Sequence, residues 1–170
     1  MDSNMPYSID DWVVHSLYGV GQIRRIEVKP IHGEDTKCFK VKTKDSTYWF
    51  PTTDTANPRI RPVASKDIIH KVIKNLRRKS SKLDTDRRHW KKRIDEVQSN
   101  GDLLSISILI RDLSAQQVLR DLNQTEEDAL EHFKERLLRE WASIKHEEVE
   151  KLRSTLHAYI EESQSKIKVD

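Results

Sequence analysis

Arg61-Pro62-Val63-Ala64-Ser65-Lys66-Asp67-Ile68-Ile69 is the stretch at which the chain changes its pattern. Before it, β-branched and aromatic runs at residues 11–15, 20–29, 36–42 and 47–50 are interrupted at turn spacing by Gly19, Gly21, Pro30, Gly33, Asp45 and Pro51. Short alternating runs between turn residues read as strands. After Ser65 there is no proline, and Gly101 is the only glycine. Ser65 has the chemistry of a helix N-cap, and Asp67 in the following turn complements the helix dipole. The chain is therefore predicted to be α+β, with a small, curved antiparallel β-barrel over residues 7–63 and a helical domain of four to five helices over 64–163. Residues 1–6 and 164–170 are read as flexible tails.

On the strand side, Trp12, Val14, Val20, Ile23, Ile26, Val28, Phe39, Val41, Tyr48 and Phe50 form a mostly period-two set of core candidates. In Tyr48-Trp49-Phe50 the outer two rings share one face and Trp49 takes the other. If Tyr48 and Phe50 are core, Trp49 is exposed and suits a protein-contact anchor. The plainer reading is a ring that covers the far side of a small barrel. Trp12, Tyr18 and Trp49 could also line a cation-binding cage. A strand module of this kind can leave an edge open for backbone pairing with a partner.

On the helical side, Ile68, Ile69, Val72, Ile73 and Leu76 mark the apolar stripe of a first helix ending near Arg78. A polar linker follows, and Asp84 or Thr85 caps a second helix that Asn100-Gly101 stops. Leu103, Ile106, Leu109, Ile110 and Leu113 have the spacing of one buried face on a third helix starting near Asp102. Asn123 precedes Thr125-Glu126-Glu127-Asp128, which resembles a capping box with Asp in the usual Glu position. A fourth helix buries Leu130, Phe133, Leu137 and Trp141. The apolar phase then shifts, so a bend or a fifth helix is predicted near Ser143.

Composition limits the chemistry. The 170-residue chain is 35% charged and 35% hydrophobic, with a mean hydropathy of -0.78. That is polar for one compact domain and fits two small cores with much solvated helix surface. Cys38 is the only cysteine, which rules out an intrachain disulfide and a thiolate metal cluster. The seven histidines are scattered, and His146-Glu147-Glu148-Val149-Glu150 lacks the second histidine of a zinc-protease helix. Gly19-Val20-Gly21 opens a strand rather than a helix, so it is a structural turn and not a phosphate loop. No acid–base dyad stands out among the late carboxylates. The expectations are no catalysis, no metal and no cofactor. No apolar run approaches the roughly 18–20 residues that span a bilayer, and the N-terminus lacks the features of a signal peptide. A cytoplasmic protein without membrane or small-molecule partners is expected.

Charge is segregated along the chain. Residues 66–93 hold twelve Lys/Arg against three Asp/Glu, whereas residues 121–150 hold four against ten. The basic block, with Arg87, Arg88, Lys91, Lys92 and Arg93 around Trp90, has the composition of a phosphate-neutralising surface. Trp90 has two readings. It is a wedge at a distorted DNA groove, or it packs with Ile94 and Val97, one and two turns on, as core.

The order of these pieces resembles the bacterial CarD/CdnL transcription regulators, whose N-terminal module also occurs in the RNA-polymerase-interacting domain of the transcription-repair coupling factor. The residues that carry the resemblance are Asp11-Trp12-Val13-Val14-His15, Tyr18-Gly19-Val20-Gly21-Gln22-Ile23, Ile31-His32-Gly33-Glu34, Phe50-Pro51 and Arg61-Pro62-Val63. In the helical part they are Trp90-Lys91-Lys92-Arg93, Gly101-Asp102, Ile110-Arg111-Asp112-Leu113 and the segment 130–141. The resemblance implies a Tudor-like module that binds the β subunit of bacterial RNA polymerase. It also implies a helical domain that contacts promoter DNA at the upstream edge of the melted bubble and stabilises the open complex. Lys29 and Trp49 fall where the family places polymerase-contacting residues, commonly arginines. Trp90 fits the family's groove-entering tryptophan by motif, whereas an ungapped register puts Arg87 at that position. Association with the nucleoid through polymerase follows from the same resemblance. The alternative is a protein-only adaptor with a peptide-binding barrel and a helical scaffold.

Overall fold

The computed structural model describes residues 5–54, 56–81, 83 and 86–168. The chain forms two compact units that divide between Val63 and Ala64. The first contains β1 (Trp12–His15), β2 (Gly19–Ile31), β3 (Glu34–Thr43), β4 (Thr47–Pro51) and β5 (Ile60–Pro62). They form one five-stranded sheet in the order β4-β3-β2-β1-β5, with antiparallel pairing throughout. The sheet is open rather than closed into the expected barrel, because the short strands β4 and β5 end it on opposite sides. β5 is a strand that the sequence pattern missed. Three residues are too few to show an alternation.

Local chemistry sets the register. Gly19 (φ 75°) turns the chain from β1 into β2, and His15 Nδ1 accepts the Leu17 and Tyr18 N–H groups at 3.0 and 3.3 Å. His32 (φ 52°) and Gly33 (φ 84°) make the two-residue tip joining β2 to β3, with Ile31 paired to Glu34. Positive φ at both tip residues matches the strand twist. A bulge between Ile23 and Arg25 inserts Arg24, so Ile23 and Ile26, three apart, both turn toward the core. Val13, Ile23, Phe39, Val41, Tyr48, Phe50 and Ile60 form that core, with Tyr7 packed edge-on against Phe39 and Phe50. On β1 Val13 joins that cluster and Val14 is buried as expected, whereas Trp12 is only partly buried and Val28, in the hairpin arm, is 59% exposed.

The second unit contains α1 (Lys66–Arg77), α2 (Arg87–Asn100), α3 (Leu103–Leu119), α4 (Gln124–Lys145) and α5 (Val149–Gln164). Ser65 caps α1 as expected, accepting the Ile68 N–H. The α2 cap is Asp86; the expected Asp84 and Thr85 lie outside the described residues. Gly101 (φ 68°) ends α2, and Asp102 caps α3. The capping box of α4 is Asn123 with Glu126, two residues earlier than the expected Thr125–Asp128 register. His146 (φ 55°) separates α4 from α5, so the phase shift is a break between two helices.

α3 is the axis of this unit and touches all four other helices. It is buried on more than the single face its apolar spacing predicts: Ser107, Arg111, Asp112, Ser114 and Gln116 are buried too. At the C-terminal end Gln164 donates to the Ser114 carbonyl at 2.7 Å, and Ile167 is buried.

Candidate protein-binding and nucleic-acid interfaces

The face of the sheet opposite the core carries the first site. Strand alternation turns Arg25, Glu27 and Lys29 of β2 to that face, and the register aligns Arg25 with Lys40 and Lys40 with Trp49 across β3 and β4. Trp49 is 39% exposed, while Tyr48 and Phe50 on either side are buried. Glu27 lies at the middle of the group. Its Oε2 accepts Trp49 Nε1–H at 2.9 Å and sits 3.6 Å from Lys29 Nζ. Its Oε1 accepts Lys40 Nζ at 3.2 Å and Arg25 Nε. The Trp49 hydrogen bond, together with those from Arg25 and Lys40, pulls the Glu27 carboxyl down to about 2. Lys29 Nζ stands 4.5 Å from the Trp49 ring centre and Lys40 Nζ 5.5 Å, both within cation–π range.

Beside this cluster the sheet ends. Thr52 N–H bonds to the Lys37 carbonyl and Thr43 N–H to the Ser46 carbonyl. Antiparallel alternation then commits Tyr48 and Phe50 to β3 and turns the backbone groups of Thr47 and Trp49 outward, away from the sheet. The expected pair Lys29 and Trp49 thus meet on one surface next to an open strand edge. Sequence reasoning missed Glu27. The available signal was its place two residues from Lys29 on the same strand face.

The second site is the exposed side of α2, where Arg87, Arg88, Lys91 and Lys92 project to solvent. The other two expected residues do not. Trp90 is fully buried within the helical core and so takes the core alternative rather than the wedge. Its position on the inner face of a capped helix decides this, because Ile94 and Val97 pack against the same core. Arg93 lies over the ring at 4.7 Å and pairs with Asp112 at 2.7 Å. The exposed cations are partly tied: Arg88 reaches Asp86, and Lys91 reaches Asp95 at 3.2 Å. Between α2 and the start of α4, a pocket of about 230 Å³ is lined by Arg87, Arg88, Lys91, Ile94, Asn123, Thr125 and Glu126.

Among the described residues, no group of three or more His, Cys, Asp or Glu side chains is placed to hold a metal ion. No described helix is long and apolar enough to cross a membrane.

Comparison with protein families assigns these two units. The CarD-like/TRCF RID domain matches residues 7–64, and the CarD C-terminal domain matches residues 71–157. The chain belongs to the CarD-like family. It therefore falls among RNA-polymerase-interacting transcription regulators. No curated protein matches it. In this CarD-like chain the Trp49 surface lies in the polymerase-interacting domain and the α2 surface in the C-terminal domain.

Proposed function

We propose that this CarD-like protein binds the β subunit of bacterial RNA polymerase through Lys29 and Trp49, and contacts promoter DNA through Arg87, Arg88, Lys91 and Lys92. Contact at the upstream edge of the melted bubble stabilises the open complex. The observation that supports this reading most is the exposed Trp49 ring, held under Lys29 beside the open edge of β4. An aromatic anchor next to unpaired strand backbone suits strand-to-strand association with a protein.

The physical logic is a division of labour. Anchoring on polymerase raises the effective concentration of a weak, sequence-independent DNA contact. The contact then shifts the closed–open equilibrium by its differential affinity for the open form and no more. With Trp90 buried, the DNA contact here is electrostatic, through phosphates. The test is binding of the full chain to RNA polymerase, with Trp49→Ala and Lys29→Glu each expected to weaken it. Unchanged binding in both variants contradicts the assignment of this surface.

A protein-only adaptor is the second reading. Its support is the mixed charge of the α2 surface, where Asp95 and Glu96 share a cleft with Arg88, Lys91 and Lys92. Polymerase binding without any DNA affinity would favour it.

A further inference from the structure

We propose that Glu27 is the positioning residue of the polymerase-facing surface: its carboxylate presets Trp49, Lys29 and Lys40 in the arrangement that binds. The inference rests on the reading that this surface is where polymerase docks.

One carboxylate gathers side chains from three strands. Arg25 and Lys29 come from β2, Lys40 from β3 and Trp49 from β4. Trp49 Nε1–H donates to Oε2 at 2.9 Å, Lys40 Nζ reaches Oε1 at 3.2 Å, and Lys29 Nζ stands 3.6 Å from Oε2. The Glu27 side chain is only 20% exposed, so it sits beneath the groups it holds. An indole on an edge strand otherwise samples several rotamers, and lysine stems sample more. Ordering them on binding weakens association, and ordering them beforehand removes that loss. Glu27 does this for the ring and for the two ammonium groups near it.

The alternative is that the patch works by charge alone. The two accounts predict opposite signs. Three cations surround one carboxylate, so removing Glu27 makes the surface more positive. Charge alone then predicts unchanged or tighter binding to an acidic partner. Positioning predicts weaker binding. A second discrimination lies in Trp49, whose N–H is the group that Glu27 holds. Trp49→Phe keeps the aromatic area and loses the donor.

The experiment measures affinity of the full chain for RNA polymerase core enzyme in four forms: wild type, Glu27→Ala, Trp49→Phe and the double variant. Loss of one charge-assisted hydrogen bond is expected to weaken binding on the order of tenfold in each single variant. Because both substitutions break the same contact, the double variant falls little further. Glu27→Gln keeps an acceptor for the indole and is expected to recover most of the affinity. Circular dichroism confirms folding, and the ¹⁵N-indole resonance of Trp49 reports the hold directly, moving in Glu27→Ala and much less in Glu27→Gln.

Glu27→Ala binding as well as wild type or better overturns the proposal, as do losses that simply add in the double variant. An indole resonance that stays put in Glu27→Ala also overturns it. Wild-type chain that fails to bind polymerase, while the resonance still moves in Glu27→Ala, overturns the docking reading and leaves the hold of Glu27 on Trp49 standing.

Discussion

Arg93 on α2 places Nη2 2.7 Å from Oδ2 of Asp112 on α3, and the same guanidinium covers the buried Trp90 ring. Asp112 is 1% exposed and also accepts Ser80 Oγ–H at 2.7 Å and Arg111 Nε–H at 2.9 Å. One carboxylate thus fastens the α1–α2 linker and α2 to the central helix. Removing it leaves the buried Arg111 without its counter-charge. Asp112→Ala is expected to destabilise the helical unit by roughly 3 kcal/mol or more, measured by urea unfolding.

Trp90→Ala follows from the same packing. Deleting a fully buried Trp costs about 3–5 kcal/mol. The expected result is a large drop in the stability of the helical unit, together with any loss of activity. A Trp90→Ala protein of wild-type stability with a selective DNA defect would place the ring outside the core.

Gly21 has no room for a methyl group. A Cβ there would lie 2.8 Å from Val41 Cγ1 and 3.0 Å from both the Lys42 carbonyl oxygen and Thr43 Cγ2. Gly21→Ala is expected to destabilise the strand unit by about 1–3 kcal/mol through overpacking. Gly19→Ala meets no neighbour but must hold φ 75°, so its loss comes from backbone strain. Thermal unfolding midpoints of both variants measure the two losses.

Acid sensitivity is expected at the start of α4. Hydrogen bonds from Arg120 hold the Glu126 carboxyl below its ordinary value of 4.5, aided by the Asn123 backbone N–H. A carboxylate whose folded pKa is lowered stabilises above its unfolded pKa, and that contribution is lost as pH falls through the folded value. Stability should therefore fall as pH drops below about 4.5. Glu126→Gln should lower stability at pH 7 and flatten part of that fall, as read from unfolding midpoints at several pH values.

On α2, Arg87 and Lys92 lie on the exposed side, whereas Arg93 faces the core ion pair. Neutralising one phosphate contact reduces the slope of log affinity against log salt by about 0.9. Arg87→Ala and Lys92→Ala are expected to reduce it by about one each with stability unchanged. Arg93→Ala should lower stability as well. Equal salt slopes in wild type and both surface variants would remove α2 from the DNA contact.

Much of this is legible in the amino-acid sequence. The switch from strands to helices at Val63, the Ser65 cap and the Gly101 stop follow from local pattern and cap chemistry, whereas the alternation at Trp49 leaves an exposed anchor and a ring covering the far side of the barrel both open. What local pattern could not supply is pairing across the chain. β5 pairs with β1, near the start of the chain, rather than with β4, the strand just before it in sequence, and that long-range choice leaves the sheet open. Arg93 looks like another surface cation until Asp112, nineteen residues on, is found beneath it. Trp90 among five basic residues reads as a groove ligand by composition, yet its helical phase with Ile94 and Val97 decides its burial. Glu27 can be placed beside Lys29 on one strand face from sequence, but its partner Trp49 lies two strands away, so its role as shared acceptor cannot.

The most direct measurement is the lifetime of a bacterial RNA polymerase open complex, with and without this protein, after addition of a competitor trap. A differential affinity of about 1–2 kcal/mol for the open form raises the open population about five- to thirtyfold while the closed form dominates. It predicts a longer lifetime, up to that factor where the effect falls on the closing rate, reduced by Trp49→Ala and by Arg87→Ala with Lys92→Ala. An unchanged lifetime, with polymerase binding verified in the same sample, would contradict open-complex stabilisation.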